Sequence, residues 1–189
     1  MHLSYNRKGE EVNPLFYLSG YINNGGNQGD FTQAQRDIVA KAIAAYENPG
    51  ILGSLPESRT GAYYGCGAFV MHVYRAAGQR CSGRNAINYW TDFQDTGGTE
   101  RSVIPVGALV VSAAGGEGGA TYGHVGIYIG GGEVIHFGDR VYRHTLEQFC
   151  RFCGENSVTV NNGQVFTGYQ GWVWPDGIVL GTYADNTGY

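Results

Sequence analysis

The spacing of the hydrophobic residues changes once along this chain of 189 residues, at about Val103. Before that point, apolar residues recur three and four positions apart, which places them on one face of a helix. After it they alternate with other residues, which places them on one face of a strand. The first part of the chain is therefore predicted to hold helices and the second part strands. The 32 glycines and 14 tyrosines also favour a loop-rich domain with a sheet over a helical bundle.

Three helices are predicted from this spacing and from the residues at their ends. Thr32 and Gln35 form a capping-box pattern, so the first helix begins there and ends at the Pro-Gly pair that follows. The second helix begins at or just before Cys66 and ends near Gly78, because glycine readily takes the positive φ of a helix C-terminus. The third helix is expected at about 84–93.

Strands are predicted in the second part of the chain, and the segments around them define one domain. They are expected at 108–112, 124–129, 133–137 and within 165–174, with a Gly/Ala loop at 113–122. We expect one main domain at 51–180, with 1–50 as an N-terminal extension and helix that is integral to it or packed on it. Residues 181–189 are expected to form a flexible tail.

Cys66 lies at the N-terminal end of the second predicted helix. The positive end of a helix dipole stabilises a thiolate, and a neighbouring imidazolium lowers the pKa of a thiol further. A thiolate in such a place is the nucleophile of a cysteine peptidase, and an imidazole moves its proton. The alternative is a packed core cysteine, which is the commoner role of a cysteine on an apolar helix face.

Two predicted strands each carry one histidine, His124 and His136, and three glycines at 130–132 join them. Because side chains alternate between the faces of a strand, a two-residue loop would place the histidines on opposite faces. A loop of all three glycines pairs Gly126 with His136 and sets the histidines diagonally on one face, with their Cα atoms roughly 7–8 Å apart. Three-residue loops need a positive φ, which glycine supplies. The sequence therefore predicts the three-residue loop.

Composition excludes several classes of function. The net charge of −4 with only 12 Lys+Arg gives no basic stripe, so no nucleic-acid partner is expected. No apolar run approaches the roughly 20 residues that a membrane span needs. Charges near the N-terminus are followed by no apolar segment, so no secretory signal is predicted.

The other cysteines and histidines are assigned no catalytic role. Cys150 and Cys153 have the C-x-x-C spacing, for which zinc binding, with Cys81 and His144 as spare ligands, or a redox pair are the alternatives to structural cysteines. We favour structural cysteines, and no metal or cofactor is predicted. His72 and His144 lie in no motif and are expected to be structural or exposed.

Four segments resemble the NlpC-type family of cell-wall cysteine peptidases. They are Gly-Ala-Tyr-Tyr-Gly-Cys-Gly-Ala-Phe-Val at 61–70, Pro-Val-Gly-Ala-Leu-Val-Val at 105–111, His-Val-Gly-Ile-Tyr-Ile-Gly at 124–130 and Val-Ile-His-Phe at 134–137. The cysteine and the two histidines come in the family's order, and the spacing between the histidines is similar to the family's. The resemblance covers roughly residues 55–140.

The resemblance implies an α+β fold with a papain-like core, in which the cysteine-bearing helix packs on an antiparallel β-sheet that carries the histidines. It also implies hydrolysis of peptidoglycan stem peptides, commonly between D-glutamate and the diamino acid, without a cofactor. Carried over by position, Cys66 is the nucleophile, His124 the general base and His136 the orienting third residue. Tyr64, with Tyr63 beside it, is a candidate to line the substrate cleft, and the alternative is a core or surface tyrosine.

The chain departs from the family pattern beside the cysteine. The family usually has an acidic residue before it and Ser-Gly after it, whereas this chain has Gly65 before and Gly67-Ala68 after. This departure keeps two alternatives open: a papain-like acyltransferase or deamidase, and a weakly active or inactive wall-binding or structural module. We expect an extracellular or cell-wall-directed protein, encoded by a phage or mobile element or delivered by a secretion machine. The sequence gives no oligomeric state.

Overall fold

A computed structural model describes residues 4–5, 11–12, 31–52, 65–113, 122–154 and 157–185. In these ranges the helices are α1 Gln33–Glu47, α2 Cys66–Ala76, α3 Ala86–Phe93 and α4 Leu146–Cys153. The strands are β1 Ser4–Tyr5, β2 Glu11–Val12, β3 Leu109–Ser112, β4 His124–Gly130, β5 Glu133–Phe137, β6 Val141–Thr145, β7 Ser157–Thr159, β8 Val165–Thr167 and β9 Tyr169–Val173. None of the helices in the described ranges is long and apolar enough to cross a membrane.

The centre of the structure is a five-stranded antiparallel sheet with strand order β6-β5-β4-β3-β9. Helices α1 and α2 pack together and contact the middle of this sheet, and α3 contacts β3 and β9. Every residue of β3 and β4 is buried, since both lie inside the sheet. The predicted α+β fold, with the cysteine-bearing helix on an antiparallel sheet that carries the histidines, is confirmed.

The capping box predicted at Thr32 and Gln35 is present, and Gln35 also ties α1 to the sheet. The Thr32 hydroxyl accepts from the backbone N–H of Gln35, and the side-chain Oε1 of Gln35 accepts from the N–H of Thr32. Its Nε2 then donates to the carbonyls of Val106 at 2.8 Å and Tyr183 at 3.1 Å. Gln35 is fully buried. One side chain therefore joins the helix start, the entry to β3 and the C-terminal segment.

The segment after Gly181, predicted as part of a flexible tail, is packed as far as Asp185. Tyr183 is buried, and its carbonyl accepts a hydrogen bond from the N–H of Val106. Ala184 forms a β-bridge with Pro105. The tail therefore does not begin at Gly181, because a backbone hydrogen bond and apolar burial hold the chain beyond that residue.

The β4–β5 hairpin has the predicted register but a different loop. Gly126 pairs with His136, as predicted. The register then shifts between Tyr128 and Gly130, and Gly130 pairs with Glu133. The loop is therefore only the two residues 131–132, and an extra residue in β4 restores the register that a three-residue loop would give. Gly130, Gly131 and Gly132 all have positive φ, of 93°, 58° and 73°.

Strand β6 and helix α4 were not predicted from the sequence. Thr145 and Gln148 form a second capping box at the start of α4, with the same two hydrogen bonds as the first. Val134 of β5 pairs with His144 of β6, and His136 pairs with Tyr142. The sheet therefore extends past the predicted hairpin, and α4 follows its edge strand directly.

The two capping glutamines provide a matched test of the Gln35 anchor. We expect Gln35→Ala to lower the free energy of unfolding by about 3 kcal/mol, because two buried carbonyls lose a donor as well as the cap. Gln148→Ala removes an equivalent cap that is exposed, and should cost about 0.5–1 kcal/mol. Urea unfolding of both variants and the wild type measures the difference. Equal losses in the two variants would show that Gln35 acts only as a cap.

Candidate active site

Cys66 is the first residue of α2, as predicted, and its backbone surroundings favour a thiolate. The cap residue before it, Gly65, has φ 77° and ψ −147° and offers no side-chain cap. The N–H groups of the first turn are therefore free of a capping side chain. The backbone N–H groups of Val125, of Gly67 and of Cys66 itself favour the thiolate and lower the pKa of the thiol.

Burial outweighs these donors. The residue as a whole is half-buried, but its sulfur is enclosed, and desolvation is the largest effect on it. The pKa of the Cys66 thiol is therefore raised above its ordinary value. The expectation that the helix start and an imidazolium lower this pKa is reversed, because the sulfur loses more hydration than three N–H groups replace. The resting side chain is a neutral thiol.

The structure accounts for the two glycines that flank Cys66. Gly65 has a positive φ, which side chains rarely tolerate. A Cβ at Gly67 would lie 2.1 Å from the carbonyl oxygen of Arg84, which is too close for any atom. The chain before α3 thus packs directly on the first turn of α2. The departure from the family pattern follows from backbone conformation at one position and backbone contact at the other.

The two predicted histidines are brought together, and a third histidine joins them. Nε2 of His124 is hydrogen-bonded to Nδ1 of His136 at 2.9 Å. Nε2 of His136 is in turn hydrogen-bonded to Nδ1 of His144 at 3.0 Å. The three rings therefore form one chain of hydrogen bonds, which runs from the start of β4 across β5 to β6. We call it the histidine chain.

His144, expected to be structural or exposed, is thus part of the site's surroundings. It is half-buried, and its ring centroid lies 5.0 Å from that of His136. The sequence does carry a signal for it: the segment 141–145 follows a short turn after β5, so a hairpin would place the two histidines side by side. The signal was missed because the segment is short and mostly polar.

Cys66 contacts β4 at Val125, the residue after His124, and not at His124 itself. Its sulfur accepts from the N–H of Val125, the residue after His124. Among the described residues, Cys66 and His124 are not hydrogen-bonded to each other. Because Nε2 of His124 is bonded to His136, Nδ1 is the nitrogen that remains to take a proton from the thiol.

Aromatic residues enclose the histidine chain and keep it neutral. The ring centroids of Phe149 and Phe152 on α4 each lie 5.4 Å from that of His124, and 5.1 and 4.9 Å from that of His136. Burial lowers the pKa of His124 to about 4. Burial also lowers the pKa of His136 to about 2, with the neighbouring histidines adding to the effect. Both rings are therefore neutral at neutral pH.

The structure describes some of the remaining candidate residues and not others. Tyr63 and Tyr64 lie outside the described residues, so their place in the cleft stays a prediction. Cys81 and Cys150 are free thiols, Cys81 buried against the Tyr89 hydroxyl, while the side chain of Cys153 lies outside the description. Within the described residues, no three His, Cys, Asp or Glu side chains are arranged to hold a metal ion. The nitrogens of the histidine chain bond to one another and do not converge on a point.

Comparison with known proteins decides the family. Residues 54–150, just over half of the chain, match the model of the NlpC/P60 family. The chain belongs to the NlpC/P60 family. Its members are generally cell-wall peptidases. The match includes Cys66, His124, His136 and His144.

The solved structures that are similar to this NlpC/P60 protein include one from a bacterial pathogen. It is a protein similar to a lipoprotein of the NLP/P60 family from Staphylococcus aureus, with 23% sequence identity and a TM-score of 0.42. The alignment covers 69% of this chain and 42% of that one, so the chain spans less than half of the relative's length. No curated protein matches the chain.

The buried neutral histidines predict a loss of stability in acid. The pKa of His124 is about 4 in the folded protein and near the ordinary imidazole value of 6.5 in the unfolded chain. Between these values the unfolded chain binds more protons, so the free energy of unfolding falls as pH falls. We expect His124 to contribute a loss of about 3 kcal/mol between pH 7 and pH 4. Urea unfolding at both pH values measures the loss.

His124→Phe keeps an aromatic ring but cannot titrate, so the loss between pH 7 and pH 4 should shrink in this variant. His72→Phe is the matched control, because His72 lies outside the histidine chain and is only half-buried. Between pH 7 and pH 4 this control should show most of the decrease in the free energy of unfolding that wild type shows. A His124→Phe variant with the same pH dependence as wild type would contradict the neutral, buried state of this ring.

Proposed function

We propose that this NlpC/P60 protein is a cysteine peptidase that cleaves an amide bond of peptidoglycan stem peptides through a thioester on Cys66. The observation that carries the proposal is the hydrogen bond between Nε2 of His124 and Nδ1 of His136. It fixes the ring of His124 by one nitrogen and leaves the other for proton transfer, at the start of the strand whose Val125 N–H donates to the Cys66 sulfur.

The reaction starts from a neutral thiol and a neutral imidazole. Nδ1 of His124 takes the proton of Cys66 as the sulfur attacks the scissile carbonyl, so the ion pair forms only during the reaction. The backbone N–H of Cys66, at the uncapped helix start, is a donor for the oxyanion. His124 then returns the proton to the leaving amine, and the C–N bond breaks to give the thioester.

The second half of the reaction repeats these roles with water. His124 takes a proton from a water molecule, the resulting hydroxide adds to the thioester carbonyl, and the C–S bond breaks as His124 returns that proton to the sulfur, which releases the acid and the thiol. His136 acts through His124. Its ring holds the imidazole of His124 in place and accepts a hydrogen bond from the Nε2–H of His124, which becomes more acidic when His124 is an imidazolium. No step requires a metal or an organic cofactor.

Membership of a family of cell-wall peptidases supports a proposal for the substrate and the location of the protein. The bond between D-glutamate and the diamino acid of a stem peptide is the expected target, with Tyr63 and Tyr64 as substrate-binding candidates. We propose that the protein acts outside the cytoplasm on bacterial cell wall, as a phage or mobile-element lysin or as a protein delivered by a secretion machine. These assignments rest on family membership.

Muropeptide digestion with mass spectrometry tests the function directly. We expect Cys66→Ala to be inactive, His124→Ala to lose about 10³-fold in rate and His136→Ala about 10-fold to 100-fold, because the last acts only by orienting the base. Cys150→Ala, a matched change of another half-buried thiol, should stay within about twofold of wild type.

The products separate the proposal from its alternatives. Hydrolysis gives two fragments that together carry one added water, whereas acyl transfer gives a conjugate and deamidation releases ammonia with the chain intact. Full activity in Cys66→Ala would refute the proposal. Binding of peptidoglycan without any product, by a folded wild-type protein, would favour a wall-binding module.

A further inference from the structure

The direction of the hydrogen bonds in the histidine chain decides whether His124 can act as a base. Nδ1 of His124 must carry no proton if it is to accept one from the thiol, so Nε2 must carry it. That Nε2–H then donates to Nδ1 of His136, and Nε2–H of His136 donates to Nδ1 of His144. The reverse direction places a proton on Nδ1 of His124 and blocks the base.

His136 alone cannot choose between these directions. A carboxylate or an amide oxygen at its position would accept from His124 and so impose the active direction. An imidazole has one nitrogen that donates and one that accepts, and either assignment satisfies the 2.9 Å contact. The direction of the hydrogen bonds is therefore decided by His144, the half-buried ring at the outer end of the histidine chain.

We propose that His144 is a positioning residue for this reaction: neutral His144 accepts from His136 and permits the active tautomer of His124, whereas protonated His144 donates to His136 and imposes the inactive one. A proton on His144 makes both of its nitrogens donors. Nε2 of His136 must then accept, its Nδ1–H donates to Nε2 of His124, and Nδ1 of His124 holds a proton. One added proton at the outer end thus blocks the base about two rings away, without moving any heavy atom.

The surroundings of His144 leave its protonation to burial and to the histidine chain. On its own strand it faces Tyr142, whose hydroxyl donates to Asp139 and whose ring lies under Arg140. On β5 it faces His136, and from α4 it faces Phe152. The ion pairs Arg143–Glu133 and Arg151–Glu147 are the charged groups on the adjoining parts of β6, β5 and α4. Burial lowers the pKa of His144 below 6.5, so the active tautomer is allowed at neutral pH.

The inference rests on the proposed function, and two substitutions of His144 test it with opposite expected results. His144→Gln keeps a group that can accept from His136 but never takes a proton. The acid limb of the pH profile of kcat/KM should move to lower pH in this variant. The ratio of kcat/KM at pH 5 to kcat/KM at pH 7.5 should therefore be about threefold higher, or more, than in wild type. His144→Arg carries a permanent charge and only donors, so kcat should fall about tenfold or more at pH 7.5, with KM little changed.

The matched control is His72→Gln, which removes a half-buried histidine outside the histidine chain. It should keep the wild-type pH profile. Ring ¹⁵N chemical shifts of His124 give a second readout, since they report which nitrogen holds the proton: Nε2 in wild type and His144→Gln, and Nδ1 in His144→Arg. This readout needs no substrate, and the Gln variant decides alone if the Arg variant does not fold.

The outcomes distinguish this inference from the proposed function. A His144→Gln variant with the wild-type pH profile, while Cys66→Ala is inactive, would overturn the role of His144 and leave the peptidase intact. Full activity in Cys66→Ala would overturn the peptidase itself. A shift of His124 to the Nδ1 tautomer in His144→Arg supports the role of His144 in either case.

Discussion

The site depends on one interaction, the pairing of Gly126 with His136 in the β4–β5 hairpin. This register sets His124 and His136 on one face of the sheet, diagonally, at a separation that a hydrogen bond between the rings can close. A shift by one residue would turn one ring to the opposite face. Gly126 is also needed for the contact, because a Cβ there would lie 2.5 Å from Cγ1 of Val134 and 3.0 Å from Cβ of His136. The hairpin therefore fixes the geometry before any chemistry begins.

Burial decides the charge state of everything that this register brings together. A helix start and nearby N–H groups favour a thiolate, yet desolvation leaves the Cys66 thiol neutral. The same desolvation, from Phe149 and Phe152, keeps His124 neutral. Two neutral partners can exchange a proton only when substrate provides somewhere for the negative charge to go. Burial of the site therefore couples ionisation of the thiol to attack on the carbonyl.

The sequence predicts those parts of the structure that local patterns determine. The Thr32–Gln35 capping box, the start of α2 at Cys66 and the Gly126–His136 register follow from spacing alone, and all three are present. The bulge in β4 could not be predicted in this way, because a three-residue loop and a two-residue loop with a bulge give the same register. The lowered pKa values of His124 and His136 depend on α4, which buries these two rings with Phe149 and Phe152, residues more than ten positions away in sequence. Such packing has no local signal.

The glycines beside Cys66 are compatible with catalysis, because Gly65 leaves the N–H groups of the first turn of α2 without a capping side chain. An acidic or hydroxyl residue at position 65 could accept from the N–H groups of the first turn, as N-cap residues do. Gly65 cannot, so these donors remain available to the Cys66 sulfur and to an oxyanion. Gly67 allows the carbonyl of Arg84 to pack against the same turn, which holds the helix start in place without a cap. The chain thus replaces a side-chain cap by backbone contact, and the loss of the family's acidic residue does not by itself indicate a loss of turnover.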